Sequence, residues 1–265
     1  MVLAVKNYSL AAVAQQVREE LGDRPVILSM ANGIDNQRIL PKFFSKIIYC
    51  VVAYNARRDA PAVVGYQRKG PLLIGTPDNT LGAELRLAQS ILARGCRTEI
   101  VDRLQDAVHT KIAINLTNAL DALVGRGWRP LSNLAVYQHL LSHTLWEGVR
   151  VNRAAGYREY RIPGIPPFAL LRAATLLPGW LLRPVFKRRL QGYAMSSMTQ
   201  DVALRGARAT ELESITGYVV HLAAEHGVPV PYNRAIYRLG QERFRPGFEP
   251  LSCEEVLGAV EQERK

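Results

Sequence analysis

The chain predicts an α/β domain over residues 1–103 followed by an all-α domain over residues 104–265. Three observations carry this expectation. The first hundred residues alternate short apolar runs with amphipathic stretches, opening VLAVK, SLAAVAQQVREEL, PVILSMAN, and strand–helix–strand order of this kind builds a sheet that is at least partly parallel. From about Leu104 the apolar spacing lengthens to that of helices. With 265 residues, 48% hydrophobic and 22% charged, the chain can form one large globular domain or two ordinary ones, which excludes wholesale disorder.

Taken in order, VLAVK reads as a buried strand, and SLAAVAQQVREEL as an amphipathic helix with Ser9 as N-cap. PVILSMAN is a second strand running into Asn32-Gly33, which is turn chemistry. KIIYCVVAYN, AVVGYQ and PLLIG are strand-like runs separated by glycine and charge. TLGAELRLAQSILARG is a helix capped by Thr80 or Asn79 and stopped by Gly95, and TEIVD closes the α/β part as a short strand. In the helical part, KIAINLTNALDALVG spans Lys111 to Gly125, and SNLAVYQHLLSHTLWEGVRVNRAAG follows as a long helix. RIPGIPP interrupts, and FALLRAATLL and WLLRPVFKRRL are split by Pro178-Gly179. The last expected helices are GYAMSSMTQDVALRG and ATELESITGYVVHLAAEHG, the latter ended by Gly227 before VPVP. There is no internal repeat.

Bulk features narrow the function. Three distant cysteines, Cys50, Cys96 and Cys253, make neither a disulfide framework nor a zinc motif, which favours a reducing cytoplasm. MVLAVKNYSL lacks the basic and apolar regions of a secretory leader, and no window reaches the ~18 apolar residues of a membrane span. The net charge is +11, and nine basic residues against Glu159 between Arg150 and Arg189 supply +8 of it. That segment reads either as a solvated basic face or as a surface for nucleic acid, anionic membrane or a phosphate-bearing ligand. No nucleic-acid fold signature accompanies it, so a nucleic-acid partner is not expected. Nor does a G-x-G-x-x-G loop follow the first strand.

The strongest local pattern lies in KIAINLTNALDALVG. At 100° per residue Lys111, Asn115 and Asn118 share one narrow stripe of an otherwise apolar helix. Such a stripe either lines a cleft, where an ammonium can donate to an oxygen that becomes negative, or is a snorkelling lysine with two amides bonding local backbone. His139, His143 and Glu147 recur at helical spacing but include no H-E-x-x-H, so a core-edge stripe is expected rather than a metal site. SSMTQD, Ser196 to Asp201, is a helix start that either caps itself or binds a carboxylate. FALLRAATLLPGWLLRPVFKRRL joins apolar bulk to a basic end. A hairpin packed on its own core is the expected reading, and membrane contact is not.

With these residues in place, the sequence resembles the ketopantoate reductase (2-dehydropantoate 2-reductase) family. TELESITGYVVHLAAEHGVPVPYNRAIYRL is similar to that family's C-terminal signature, and KIAINLTNALDAL to the helix bearing its catalytic lysine. VLAVKNYS and MANGIDNQRIL resemble two strands of its nucleotide domain, and IGTPDNTLGAELRLAQSILARG the segment before the domain boundary. The resemblance implies an incomplete Rossmann-like N-terminal domain that binds NADP(H), and a helical substrate domain. It implies NADPH-dependent reduction of a 2-keto acid, foremost 2-dehydropantoate to pantoate in pantothenate biosynthesis, with room for a homodimer. Lys111 matches the general acid that protonates the keto oxygen, on a stripe that would face the interdomain cleft. Asn115, Asn118, Ser197 and Gln200 match substrate contacts. Lys6, Asn32, Ala56 and Glu211 match cofactor contacts. An unperturbed lysine titrates near ~10.4, and partial burial is expected to lower that.

Departures from the family pattern bear on specificity. His109 stands where the family often has tryptophan, and Ala194 where it often has a substrate asparagine; the stretch from Asp201 to Glu211 is about two residues long. The family's opening βαβ unit with its glycine-rich loop has no counterpart in this sequence, which reads either as a shortened form of a longer chain or as a degenerate copy; as it stands, weak NADPH binding and poor activity are expected. Rival readings are reduction of another 2-keto acid, a non-catalytic remnant serving as a helical dimerisation or binding module, or a basic peripheral membrane protein.

Overall fold

The computed structural model of the protein describes residues 1–190, 195–206 and 209–264. It divides into two compact units, one comprising residues 1–111 and 159–165, the other residues 112–158 and 166–265.

The first unit is built on a five-stranded sheet. Its strands are β1 (Val2–Leu3), β2 (Ile27–Ser29), β3 (Ile47–Val52), β6 (Leu72–Gly75) and β7 (Thr98–Ile100), in spatial order β1-β2-β3-β6-β7. The pairs β1–β2, β2–β3 and β6–β7 are parallel, while β3–β6 is antiparallel, with Tyr49 opposite Gly75. The expected α/β order with a partly parallel sheet is therefore what forms. Ile47, Ile48, Tyr49, Cys50 and Val51 are all buried, as a central strand covered on both faces requires. Leu28, Ile48, Cys50, Leu72, Ile74 and Leu85 form one core, which also takes in Ala88 and Leu92 from helix α3 (Gly82–Leu92).

Local chemistry moves several boundaries. Helix α1 (Asn7–Leu21) begins before Ser9, because the Lys6 carbonyl accepts the Ser9 N–H at 3.0 Å; Ser9 is inside the helix and does not cap it. Helix α3 is preceded by Leu81 in the left-handed region (φ 58°), not by a side-chain cap from Thr80 or Asn79. Thr80 Oγ1 donates instead to Asp78 at 2.8 Å, making a local turn. A strand absent from the sequence reading, β4 (Asn55–Ala60), pairs antiparallel with β5 (Val63–Arg68) in a separate hairpin.

The second unit is helical. Helix α4 (Leu104–Asn115) reaches from the first unit into it, and α5 (Thr117–Val124) follows after Leu116. The expected single helix is thus interrupted at Leu116, next to a Thr117 hydroxyl that donates back to the Ile114 carbonyl at 3.0 Å. The long helix α6 (Leu134–Ala154) is capped by Asn133, whose side chain accepts from Ala135 N at 3.0 Å and Val136 N at 3.2 Å. Gly148 of α6 admits Leu116: a Cβ there would stand 2.4 Å from the Leu116 Cδ1. Helices α7 (Phe168–Leu176), α8 (Gly179–Leu190) and α9 (Ser197–Arg205) follow. A π-helical turn (Glu213–Gly217) then leads into α10 (Tyr218–Glu225). Two more helices follow where the sequence reading ended. They are α11 (Pro231–Arg243), with proline at its start, and α12 (Cys253–Glu263), opened by a Ser252–Glu255 capping box.

Candidate active site around Lys111

Lys111 and Asn32, eighty residues apart in the chain to within one, line the same concavity in the first unit. The other lining residues include Gly33, Asn36, Gln37, Tyr49 and Val108. Each reaches this place for a local reason. Asn32 and Gly33 (φ 77°) form the turn that ends β2, at the carboxyl end of a parallel strand. Asn36 and Gln37 lie on the short helix α2 (Asp35–Ile39) that the turn initiates. Val108 and Lys111 are three residues apart on α4 and so share a face. The space enclosed is about 20 Å³, enough for one water.

The polar wiring is specific. Asn7 is buried and donates from Nδ2 to the Asn32 carbonyl at 2.5 Å, which ties the start of α1, and with it Lys6, to the Asn32 turn. Asn36 is buried and donates to Ser29 Oγ at 3.1 Å and to the Ala31 carbonyl at 3.2 Å. Gln105 of α4 donates to Gln37 Oε1 at 2.7 Å, fastening α2 to α4 one and a half turns before Lys111. Two atoms of this group, Asn36 Oδ1 and Gln37 Nε2, are buried and have no hydrogen-bond partner among the described residues. An unmet acceptor and an unmet donor on adjacent residues are satisfied by an ordered water or by a polar ligand.

Lys111 itself is half-buried, as are Ile114, Asn115 and Asn118, whereas Ile112, Ala113 and Leu116 are buried. Residues on the stripe are thus the more accessible ones, in agreement with the helical spacing. His109, two residues earlier, is buried, and burial pushes its pKa down to about 4, so the ring is neutral at pH 7. Its Nδ1–H donates to the Gln105 carbonyl at 2.7 Å, which fixes the tautomer. Thr110 is buried and its hydroxyl accepts the Tyr160 N–H at 3.0 Å, which anchors segment 159–165 beside the lysine. Ala56 is exposed on β4, and no described contact brings it to the Lys111 concavity.

In the second unit a different set is brought together. Ala119, Met198 and Leu212, the chain neighbours of Asn118, Ser197 and Glu211, belong to one apolar cluster. Ser196 caps α9, its hydroxyl accepting Thr199 N at 3.1 Å, and it also reaches the Asn118 carbonyl at 3.5 Å. Ser197 is exposed at the first position of α9, and Gln200 donates to the Met195 carbonyl at 3.2 Å. Glu211 is buried two residues before the π-helical turn, and its carbonyl accepts from Ser214 Oγ at 3.3 Å. Such turns are frequent at functional sites. Ala194 lies outside the described residues, as do residues 207 and 208 of the lengthened Asp201–Glu211 stretch.

The histidine stripe has a structural use. Glu147 is buried and accepts from Tyr232 N at 3.0 Å, Asn233 N at 2.9 Å and Asn233 Nδ2 at 2.8 Å, capping α11 from another helix. His143 stacks on Tyr232, and His139 Nε2 is 2.8 Å from the Tyr232 hydroxyl. Asn36, Gln37 and Gln105 were not singled out from the sequence; as ordinary amides on short or mixed helices, they carry no local signal.

The fold, an α/β unit and a helical unit, is shared with solved structures of a dehydrogenase and of a reductase. D-mandelate dehydrogenase with NADH is similar over 91% of this chain and 77% of its own, with TM-score 0.70 and 20% identity. A dimeric ketopantoate reductase from Staphylococcus aureus is similar over 99% and 77%, with TM-score 0.66 and 20% identity. The chain belongs to the ketopantoate reductase family: residues 1–79 match the family model described as ketopantoate reductase PanE/ApbA, and residues 103–243 the model of its C-terminal part. The 2-dehydropantoate 2-reductase of Halobacterium salinarum is 28% identical over 251 residues, covering 93% of this chain and 76% of the relative.

Proposed function

We propose that the protein reduces a 2-keto acid, 2-dehydropantoate to pantoate, using NADPH, and so serves pantothenate biosynthesis in the cytoplasm as a homodimer. The observation that carries this reading is the concavity shared by Lys111, Asn32, Asn36 and Gln37, in a chain of the ketopantoate reductase family. The unmet acceptor of Asn36 and donor of Gln37 suit a carboxamide, the group that a nicotinamide ring presents.

When bound, the reduced nicotinamide supplies a hydride to the carbonyl carbon of the substrate. The chain's own groups do the rest. In the proposed roles, the Lys111 ammonium donates to the keto oxygen, stabilises the negative charge that grows there, and gives up a proton to form the alcohol. Asn115, one helical turn on, binds substrate oxygens together with Asn118, Ser197 and Gln200. Lys6, Asn32, Ala56 and Glu211 contact the cofactor, with Asn32 held in place by Asn7. His109, two residues earlier on α4, is neutral at pH 7 and adds no positive charge of its own.

The test is NADPH oxidation with 2-dehydropantoate and with a panel of other 2-keto acids, each repeated with NADH. The proposal expects the highest kcat/KM for 2-dehydropantoate with NADPH. Absence of keto-acid-dependent oxidation would contradict the reaction, and preference for another acid or for NADH would contradict the substrate or cofactor.

A further inference from the structure

The hairpin of α7 and α8 is fastened to its unit along one side only. Phe168 and Leu171 are buried with Leu145 and Val149 of α6. Phe186 meets the Tyr137 ring at 6.0 Å, and Gln138 donates to the Gly179 carbonyl at 3.1 Å. These contacts use the inward side. At the hairpin's turn the large apolar residues face outward: Leu176 is 71% exposed, Trp180 66%, and Leu177 and Leu181 nearly half. On α8 Trp180, Arg183, Pro184, Lys187 and Arg188 recur at helical spacing and are all exposed, so one outer face carries tryptophan at its start and cations along its length. Arg172 of α7 is exposed as well. From Tyr160 to Gln200 the chain contains no aspartate or glutamate.

A contiguous exposed apolar patch needs a partner, and the charge around this one selects it. A second copy docked through the same patch would bring Arg183, Lys187 and Arg188 of each chain towards one another, which is repulsive in a two-fold contact. Anionic lipid phosphates neutralise those cations, while the headgroup–acyl boundary takes up leucine and tryptophan. Among the described residues no helix is long and apolar enough to cross a membrane, so the contact is peripheral. We propose that the α7–α8 hairpin docks the protein on anionic lipid surfaces, with Leu176, Leu177, Trp180 and Leu181 entering the interface and Arg172, Arg183, Lys187 and Arg188 meeting phosphates. The reading from sequence, a hairpin packed wholly on its own core, describes only the inward side.

Co-sedimentation of the full chain with phosphatidylcholine vesicles, with and without about a third phosphatidylglycerol, tests the proposal. The expected result is binding to the anionic vesicles only, weakened at least ~10-fold by high salt. Trp180→Ser and the double variant Lys187→Glu, Arg188→Glu should each weaken it about as much, with melting temperatures unchanged because the positions are exposed. No binding to anionic vesicles, equal binding to neutral ones, or wild-type binding by the variants would overturn it. So would a dimer in sedimentation equilibrium that Trp180→Ser converts to monomer, which would make the patch an interface between copies.

Discussion

Glu147 and Lys111 each bring an ionisable group into a sheltered place, and their surroundings treat it oppositely. Both oxygens of Glu147 accept hydrogen bonds, three in all, from the first residues of α11 and the Asn233 side chain. Around Lys111, by contrast, the neighbouring amides present a buried oxygen and a buried nitrogen with no partner among the described residues. The first arrangement satisfies the carboxyl group itself and holds helices together, although the Asn233 Oδ1 beside it is buried with no partner among the described residues. The second leaves one acceptor and one donor that a water or a ligand could satisfy. A buried polar group that is satisfied contributes to the fold; the unmet pair beside Lys111 is what the proposed role of that site would use.

Four substitutions or titrations would break or sharpen this contrast. The largest effect is expected for Lys111→Ala, which should lower kcat by about 10³-fold and leave the melting temperature within ~2 °C, since a half-buried helical position tolerates alanine. Steady-state kinetics and thermal melts read both. Glu147→Ala should do the reverse. It strands three buried donors and should cost about 3 kcal/mol in urea unfolding, with kcat per folded molecule unchanged.

The third effect is pH dependence. Burial raises the Glu147 pKa to about 7, above the ordinary carboxyl value of 4.5. The folded state therefore binds this proton more tightly than the unfolded one. The stability this contributes is full below about 4.5 and is lost as pH rises towards about 7. Glu147→Gln should remove that decline, seen as a flatter plot of melting temperature against pH. The smallest expected effect is Gln37→Ala. Losing one edge donor should raise the KM for the nicotinamide cofactor roughly 5- to 10-fold while costing about 1 kcal/mol or less in stability. Equal loss of stability and affinity would instead assign Gln37 to the fold.

Much of this architecture was legible in the sequence because it rests on strong local patterns. Apolar runs flanked by glycine or turn residues gave β2, β3 and β6, and the helical spacing of Lys111, Asn115 and Asn118 matches the half-buried side of α4 and α5. Strand β4 was not legible: NARRDA is polar and charged, with no alternation to betray a hairpin. Helix α11 was hidden by its polar composition, since Tyr232, Ala235, Ile236 and Leu239 supply its buried side while arginines and glutamate fill the rest. The capping box before α12 was readable, with serine and glutamate three residues apart. The Asn36–Gln37 pair could not be found by any local rule, because its unmet atoms exist only once β2, β3 and α4 converge on one spot.

Chemical rescue puts the role of Lys111 to its most direct test. Lys111→Ala would be assayed for 2-keto acid reduction with increasing concentrations of small primary alkylamines, alongside the wild-type chain. If the ammonium supplies charge and proton to the nascent alkoxide, kcat of the variant should rise with amine, at least ~10-fold at saturation, and the wild type should not respond. Wild-type turnover by Lys111→Ala without added amine would contradict the account.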